Sequence, residues 1–300
     1  MTSDKPRVGF IGLGLMGHGM AKNLVSKGFP LTVRVHRNRK PAEDILAAGA
    51  KEVKTSADLA RASDVVILCV TGSPQIEEII YGENGVLSAA REGLIVIDTS
   101  TAEPASTAKI RDDFAKKSTK YVDAPLARTP KEAEEGRLNT MVGADDATFA
   151  QVKPVLQAYC ENVIHVGPPG HGHMLKLINN FIAQAIATAT AEACAACAKS
   201  GVSIRKLHEI ISAGAVNSGI FQMMVGRMLE GDLAGLKFTL VNAMKDLRYY
   251  THFAESLPVP AIVGEAVHQS LVNANLLGFG DKYVASLIEA QEKLAGVKII

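Results

Sequence analysis

The chain is short of cysteine, of charge of one sign and of uninterrupted apolar sequence. Its four cysteines, Cys69, Cys160, Cys194 and Cys197, lack zinc-ribbon spacing and are too few for a disulfide scaffold. Cys194 and Cys197 do form a C-x-x-C, but among alanines in mid-helix, where cysteine behaves as a small buried residue. Lys plus Arg (32) against Asp plus Glu (31) leave a net charge of +1, with both signs interspersed. That balance argues against a nucleic-acid or membrane-surface partner. The start of the chain runs into a strand without a signal-peptide core, so a cytoplasmic location is expected. The most apolar stretch, residues 181–198, is mostly alanine and is interrupted by Gln184, Thr188, Thr190 and Glu192. Alanine contributes little to insertion, so a helix buried in protein is expected rather than one in lipid. His165, His171 and His173 have no carboxylate or thiolate close by in sequence to complete a coordination shell. They are read as loop residues, and no metal site is expected.

Three hundred residues, 47% hydrophobic and 21% charged, suffice for two domains with real cores. Near the amino end an apolar strand, residues 7–11, leads directly into Gly12-Leu13-Gly14-Leu15-Met16-Gly17, and Met20, Ala21, Leu24 and Val25 then recur at helical spacing. Strand, glycine turn and helix in this order form a dinucleotide fingerprint. The first glycine makes the turn, the second admits a pyrophosphate to the backbone, and the third lets helix pack on strand. The second strand, residues 31–35, ends in His36-Arg37-Asn38-Arg39-Lys40. An acidic residue that would bind a ribose 2′-hydroxyl is missing there. Arg37 with Arg39 or Lys40 could instead bind a 2′-phosphate, which favours NADP over NAD.

Further strands are expected at residues 64–70, 93–97 and 119–122, each ending in a polar stretch, and shorter ones at 138–142 and 163–166. After Gly170 strand signals stop. An alanine-rich helix over about 172–200 is followed by helical patterns around 207–211, 221–228, 239–254 and 261–274, with Pro258 and Pro260 separating the last two. The expected architecture is α/β: a Rossmann-type doubly wound sheet domain, residues 1–167, then an all-α substrate and dimerisation domain, residues 168–300, joined by a long helix. At the entrance of that helix Lys176, Asn179 and Asn180 share one face. Polar groups there are costly unless they meet partners or a ligand.

These blocks resemble the β-hydroxyacid dehydrogenases, the family of 3-hydroxyisobutyrate dehydrogenase and tartronate semialdehyde reductase. The resemblance runs over nearly the whole chain. It rests on residues 9–17, Asp98-Thr99-Ser100-Thr101, Asp123-Ala124-Pro125, residues 170–180 and Lys245-Asp246-Leu247. It implies that Lys176 is the catalytic lysine, that Asn180 positions substrate, and that Thr101 lies beside the nicotinamide. Lys245 and Asp246 are implied to come from the helical domain to line the cleft. Val70 and Thr71 join the expected cofactor residues; Asn179, Asp246 and Phe238 join the expected substrate residues. Homodimers or homotetramers are implied as well.

One block departs from the family pattern. Where the family usually carries Ser-Gly-Gly after Asp-Ala-Pro-Val, this chain has Ala127-Arg128-Thr129. A guanidinium fork and a hydroxyl in place of bare backbone suit a tetrahedral anion, and a similar Arg-Thr variant occurs in the sulfolactaldehyde reductase branch. The expected function is therefore reduction, by NADPH, of a small aldehyde or ketone bearing a sulfonate or phosphonate, with Lys176 as proton donor. Arg128 could equally bind a carboxylate, as in an ordinary 3-hydroxyisobutyrate or tartronate semialdehyde dehydrogenase, or pair with Glu132 or Glu135. A non-catalytic cofactor-binding module is a further alternative, against which Lys176 argues. A decarboxylating enzyme like 6-phosphogluconate dehydrogenase has a much larger helical domain than the roughly 130 residues available here.

Overall fold

The computed structural model describes residues 5–36 and 38–300. It divides into two compact units, Met1–Lys176 and Leu177–Ile300. In the first, strands β1 (Val8–Ile11), β2 (Leu31–Arg34), β3 (Lys51–Val53), β4 (Val65–Leu68), β5 (Ile95–Asp98) and β6 (Lys120–Asp123) pair in parallel in the order 3-2-1-4-5-6. The sheet then continues with a reversed strand. β7 (Leu126–Ala127) and β6 both run antiparallel to β8 (Leu138–Gly143), and β9 (Cys160–Gly167) runs parallel to β8.

The central strands β1, β4 and β5 are largely apolar because both faces of the sheet are covered there. Val8, Phe10, Val65, Ile67, Ile95 and Ile97 enter one core with Met20 and Leu24, while Ile11, Val66, Leu68 and Val96 enter the other with Leu59, Ile76 and Ile110. Each such side chain contributes roughly 1.5–3 kcal/mol on burial. Two strands escape sequence reading. β3 is a three-residue edge strand with exposed Lys51 and Glu52, and β7 is only two residues long, so neither is long enough to show a period.

The unit boundary at Lys176 falls beyond the division at 167 read from sequence. The reason lies at Asp123, whose carboxylate accepts from the backbone N–H of Gly170 at 2.6 Å and of His173 at 2.9 Å. This ties the first turn of the helix His171–Lys199 to the end of β6. The rest of that 29-residue helix belongs to the second unit, where Ala187, Ala191 and Cys194 enter a core with Phe221, Met224, Leu240, Leu247 and Leu271. Burial pushes the Cys194 thiol up to about 12, consistent with a packing role for its C-x-x-C. Helices Ile204–Ala213, Leu240–Ser256 and Ile262–Ala274 follow the expected order, and Leu287–Ala295, which the sequence reading passed over, closes the unit.

Candidate functional site

In the first unit a cleft of about 1100 Å³ opens above the carboxyl ends of β1, β2 and β4. Its floor is the glycine turn. Gly12 has φ +107°, and a Cβ there would lie 2.1 Å from the carbonyl oxygen of Cys69. At Gly17 a Cβ would lie 1.9 Å from the Gly12 carbonyl oxygen, whereas at Gly14 nothing stands within 4 Å. Two glycines are thus demanded by the protein itself, and the middle one keeps open the space a pyrophosphate needs. Leu13, Leu15, Val70 and Thr71 line the same cleft, and Leu15 is 70% exposed there. Met16 packs instead against the sheet core, at the cap of helix Gly17–Ser26. These residues fit a dinucleotide.

The end of β2 is arranged differently from the expectation. His36, Asn38 and Lys40 line the cleft, but Arg39 turns away to form a two-armed ion pair with Glu52, both contacts at 2.8 Å. Arg37 lies outside the described residues. Arg34, which sequence reasoning missed, lines the cleft half-buried, with Nη1 donating to the Ser56 hydroxyl at 3.1 Å. The available signal was alternation: Leu31 and Val33 are buried on one face of β2, which sends Thr32 and Arg34 to the other.

His18, Asp44 and Glu134 also line the cleft and were missed. Nδ1 of His18 meets Glu134 at 2.5 Å and Nε2 meets Asp44 at 3.0 Å, while Lys22 reaches Glu134 at 3.2 Å. Burial opposes the charge on His18, but the hydrogen bonds and charges of Glu134 and Asp44 outweigh it and raise its pKa above the ordinary 6.5. A group whose pKa is raised by folding stabilises most fully below its unfolded value and loses that contribution as pH rises through its folded value. His18→Gln should therefore lower the urea midpoint most below pH 6.5, with the gap to wild type closing in alkaline buffer. A gap independent of pH would remove the ionic role from His18.

Lys176 is half-buried in the second turn of helix His171–Lys199, and Asn180 follows one turn later. In the second unit the Asn180 amide donates to Asp246 Oδ2 at 2.6 Å and its oxygen accepts from Asn179 at 3.1 Å. Lys245 meets the other oxygen of Asp246 at 2.7 Å. Both Asn180 and Asp246 are buried, so this chain of contacts fixes which way the Asn180 side chain faces. The expected set Asn179, Asn180, Lys245 and Asp246 is thus brought together. Phe238 packs half-buried on the core of the same unit. Thr101 lies in the loop after β5, next to Ser100, whose hydroxyl accepts from the Val70 N–H at 3.0 Å.

The variant block is held by other partners. Ala127 ends β7, paired with Asn139. Thr129 caps helix Pro130–Glu135, its hydroxyl and N–H both bonded to Glu132. Arg128 has φ +82°, rare outside glycine, and its guanidinium pairs with Glu161 and with the Arg137 carbonyl, so of the expected alternatives neither Glu132 nor Glu135 is its partner. His173, expected in a loop, is instead helical and 0% exposed.

Glycine turn, cleft and a 3-2-1-4-5-6 sheet define the class, a dinucleotide-binding α/β protein. Residues 7–167 match the model for the NAD binding domain of 6-phosphogluconate dehydrogenase. Residues 170–290 match the model for "NAD-binding of NADP-dependent 3-hydroxyisobutyrate dehydrogenase". The chain is 32% identical to 2-hydroxy-3-oxopropionate reductase of Escherichia coli over 98% of its length and 99% of the relative's. It is 31% identical to 2-(hydroxymethyl)glutarate dehydrogenase of Eubacterium barkeri, covering 98% and 97% of the two chains. Identity to the 3-sulfolactaldehyde reductase of Escherichia coli is 30%, covering 97% of each. The crystal structure of 3-hydroxyisobutyrate dehydrogenase from Salmonella typhimurium superposes with a TM-score of 0.82 at 25% identity, covering 94% of this chain and 99% of that one. The chain belongs to the β-hydroxyacid dehydrogenase family. It is a nicotinamide-dependent enzyme acting between hydroxyl and carbonyl groups.

Proposed function

We propose that this enzyme uses NADPH to reduce the carbonyl of a small three-carbon substrate that carries a sulfonate or phosphonate. Lys176 carries the reading of the reaction: a half-buried amine one helical turn before an asparagine fixed by a buried aspartate. A bound reduced nicotinamide would supply the hydride. Lys176 gives its proton to the carbonyl oxygen as negative charge develops there. Asn180, held by Asp246, orients that oxygen, and the half-buried surroundings of the lysine help to exclude water.

The choice of NADP rests on the cations and donors along the end of β2, where Arg34, His36, Asn38 and Lys40 line the cleft. Glu43 and Asp44 also line it and oppose an anion, so the positive charge that a 2′-phosphate requires falls to Arg34 and Lys40. The reading of the substrate rests on Arg128. A non-glycine residue at φ +82° costs about 1–2 kcal/mol, and a strained backbone of this kind is typical of functional positions. Opening the Arg128–Glu161 pair frees a two-armed donor for a tetrahedral anion. That same pair favours the second reading, in which Arg128 is a structural staple and the substrate is a carboxylate, as the names of two of the relatives suggest.

Assembly into a homodimer or homotetramer is part of the proposal. Helix Ile204–Ala213 packs Ile204, Leu207 and Ile211 on the core of its unit and leaves Ile210 72% exposed, an apolar side chain that a subunit contact would cover. The reaction is tested by following NADPH and NADH oxidation with matched carboxylate, sulfonate and phosphonate three-carbon carbonyls. NADPH and the sulfonate or phosphonate should give the highest kcat/KM, and Arg128→Ala should lower it for those substrates by at least about tenfold, the value of one lost charged hydrogen bond. A carboxylate turned over equally well, and insensitive to Arg128→Ala, would establish the second reading.

A further inference from the structure

We infer that His173 is a positioning residue for Lys176, linked through Asp98 to the loops that bear the cofactor. The inference rests on the proposed role of Lys176 and adds a residue to that site. His173 and Asp98 are both 0% exposed, and imidazole Nε2 lies 3.8 Å from Asp98 Oδ2, with no hydrogen-bonded partner among the described residues. Its other nitrogen, Nδ1, is 2.7 Å from the hydroxyl of Thr107.

The hydrogens can be assigned from these contacts. The Thr107 hydroxyl has one proton and two acceptors in reach, His173 Nδ1 at 2.7 Å and the Glu103 carbonyl at 3.1 Å. Given to Nδ1, that proton leaves the ring hydrogen on Nε2. Given to Glu103, it makes Nδ1 a donor, and a bare Nε2 lone pair would then face a carboxylate in a dry interior, a costly arrangement. The favoured state is therefore the first, with the Thr107 proton given to Nδ1 and an Nε2–H directed towards Asp98.

Asp98 joins this imidazole to the cofactor side of the unit. Its Oδ1 accepts from the Ser100 N–H at 2.9 Å, and Ser100 in turn accepts from Val70. Its Oδ2 accepts from Tyr121 at 2.7 Å; burial, then the Asp98 charge, keeps the Tyr121 phenol well above its ordinary pKa of 10 and therefore a donor. Asp123 holds the His173 backbone N–H at 2.9 Å. The turn that carries Lys176 is thereby anchored at its main chain by Asp123 and at the His173 side chain by Thr107, with the Asp98 carboxylate facing the other edge of the ring at 3.8 Å. One residue, Asp98, is shared with the Val70 and Ser100 loops. Lys176 stands three residues further along the helix, on the neighbouring position of the same face.

The experiment compares His173→Phe, His173→Gln and Asp98→Asn with Lys176→Ala, measuring kcat, KM and NADPH affinity by fluorescence titration. A displacement of about 1 Å at a catalytic group can cost 10²-fold, so His173→Phe should lower kcat by about tenfold to a hundredfold, with NADPH affinity within about twofold. His173→Gln, whose amide can still donate to Asp98, should restore at least half of wild-type kcat. Should His173→Phe fail to fold, Asp98→Asn takes its place: kcat should fall, and adding His173→Gln should lower it no further. Wild-type kcat in a folded His173→Phe, or independent, additive losses in the double variant, would overturn the inference. Lys176→Ala separates the two levels: its retaining turnover would remove the reading of the site itself, whereas its inactivity beside a fully active His173→Phe would remove only the link.

Discussion

Lys176→Ala should lower the rate of carbonyl reduction by about 10²–10⁴-fold, the range that a positioned general acid supplies. The loss should fall on kcat, since the alkyl stem and ammonium are not part of the glycine-turn cleft that takes the dinucleotide. NADPH affinity should stay within about threefold, because an interaction made mainly in the transition state leaves ground-state binding alone. Lys176→Arg should be nearly as inactive. A guanidinium keeps the charge and can still hydrogen-bond the carbonyl oxygen, but it does not release its proton at any workable pH. The pair therefore separates proton donation from electrostatic stabilisation. An arginine variant with most of the wild-type kcat would assign Lys176 to charge stabilisation alone, and an alanine variant with most of it would move the proton donor elsewhere.

The helix carrying this lysine shows where sequence reading works and where it stops. The sheet was legible because β1, β4 and β5 are buried on both faces and so are written almost wholly in Val, Ile and Leu. The glycine turn was legible because steric demands at Gly12 and Gly17 exclude any other residue. His173 was misread because its partners Asp98 and Asp123 come from distant strands; nothing near it in sequence reports that three elements close around it. Arg39 and Arg34 show the same limit. Three cations after β2 look interchangeable on paper, yet Glu52 on β3 takes Arg39 out of the cleft, and β3 itself is too short to be foreseen. At Arg128 the substitution was visible but its φ of +82° and its contact with Glu161 were not, because both are set by how β7, β8 and β9 pair.

Gly12→Ala should abolish measurable cofactor binding. The added Cβ would sit 2.1 Å from the Cys69 carbonyl oxygen and 2.8 Å from its carbon, both main-chain atoms that no side-chain rotation can clear. That segment cannot retreat easily, since Cys69 N–H donates to the Ile11 carbonyl at 2.9 Å and Ile11 faces Leu68 in the β1–β4 register. At φ +107° an alanine is strained before any clash is counted, at about 1–3 kcal/mol. The turn must therefore unwind locally, and its amides leave the places where they meet a pyrophosphate. A displacement worth about 2.7 kcal/mol is a hundredfold in affinity, and the combined clash and strain should exceed that. Gly14→Ala gives the contrasting case. Nothing in the protein stands within 4 Å of its Cβ, so thermal stability should barely change, while a methyl group in the space kept for the phosphates should still weaken NADPH by at least about tenfold. Titration of NADPH fluorescence with circular dichroism and melting curves distinguishes the two. Full-affinity binding by a folded Gly12→Ala, or by Gly14→Ala, would place the dinucleotide outside this turn.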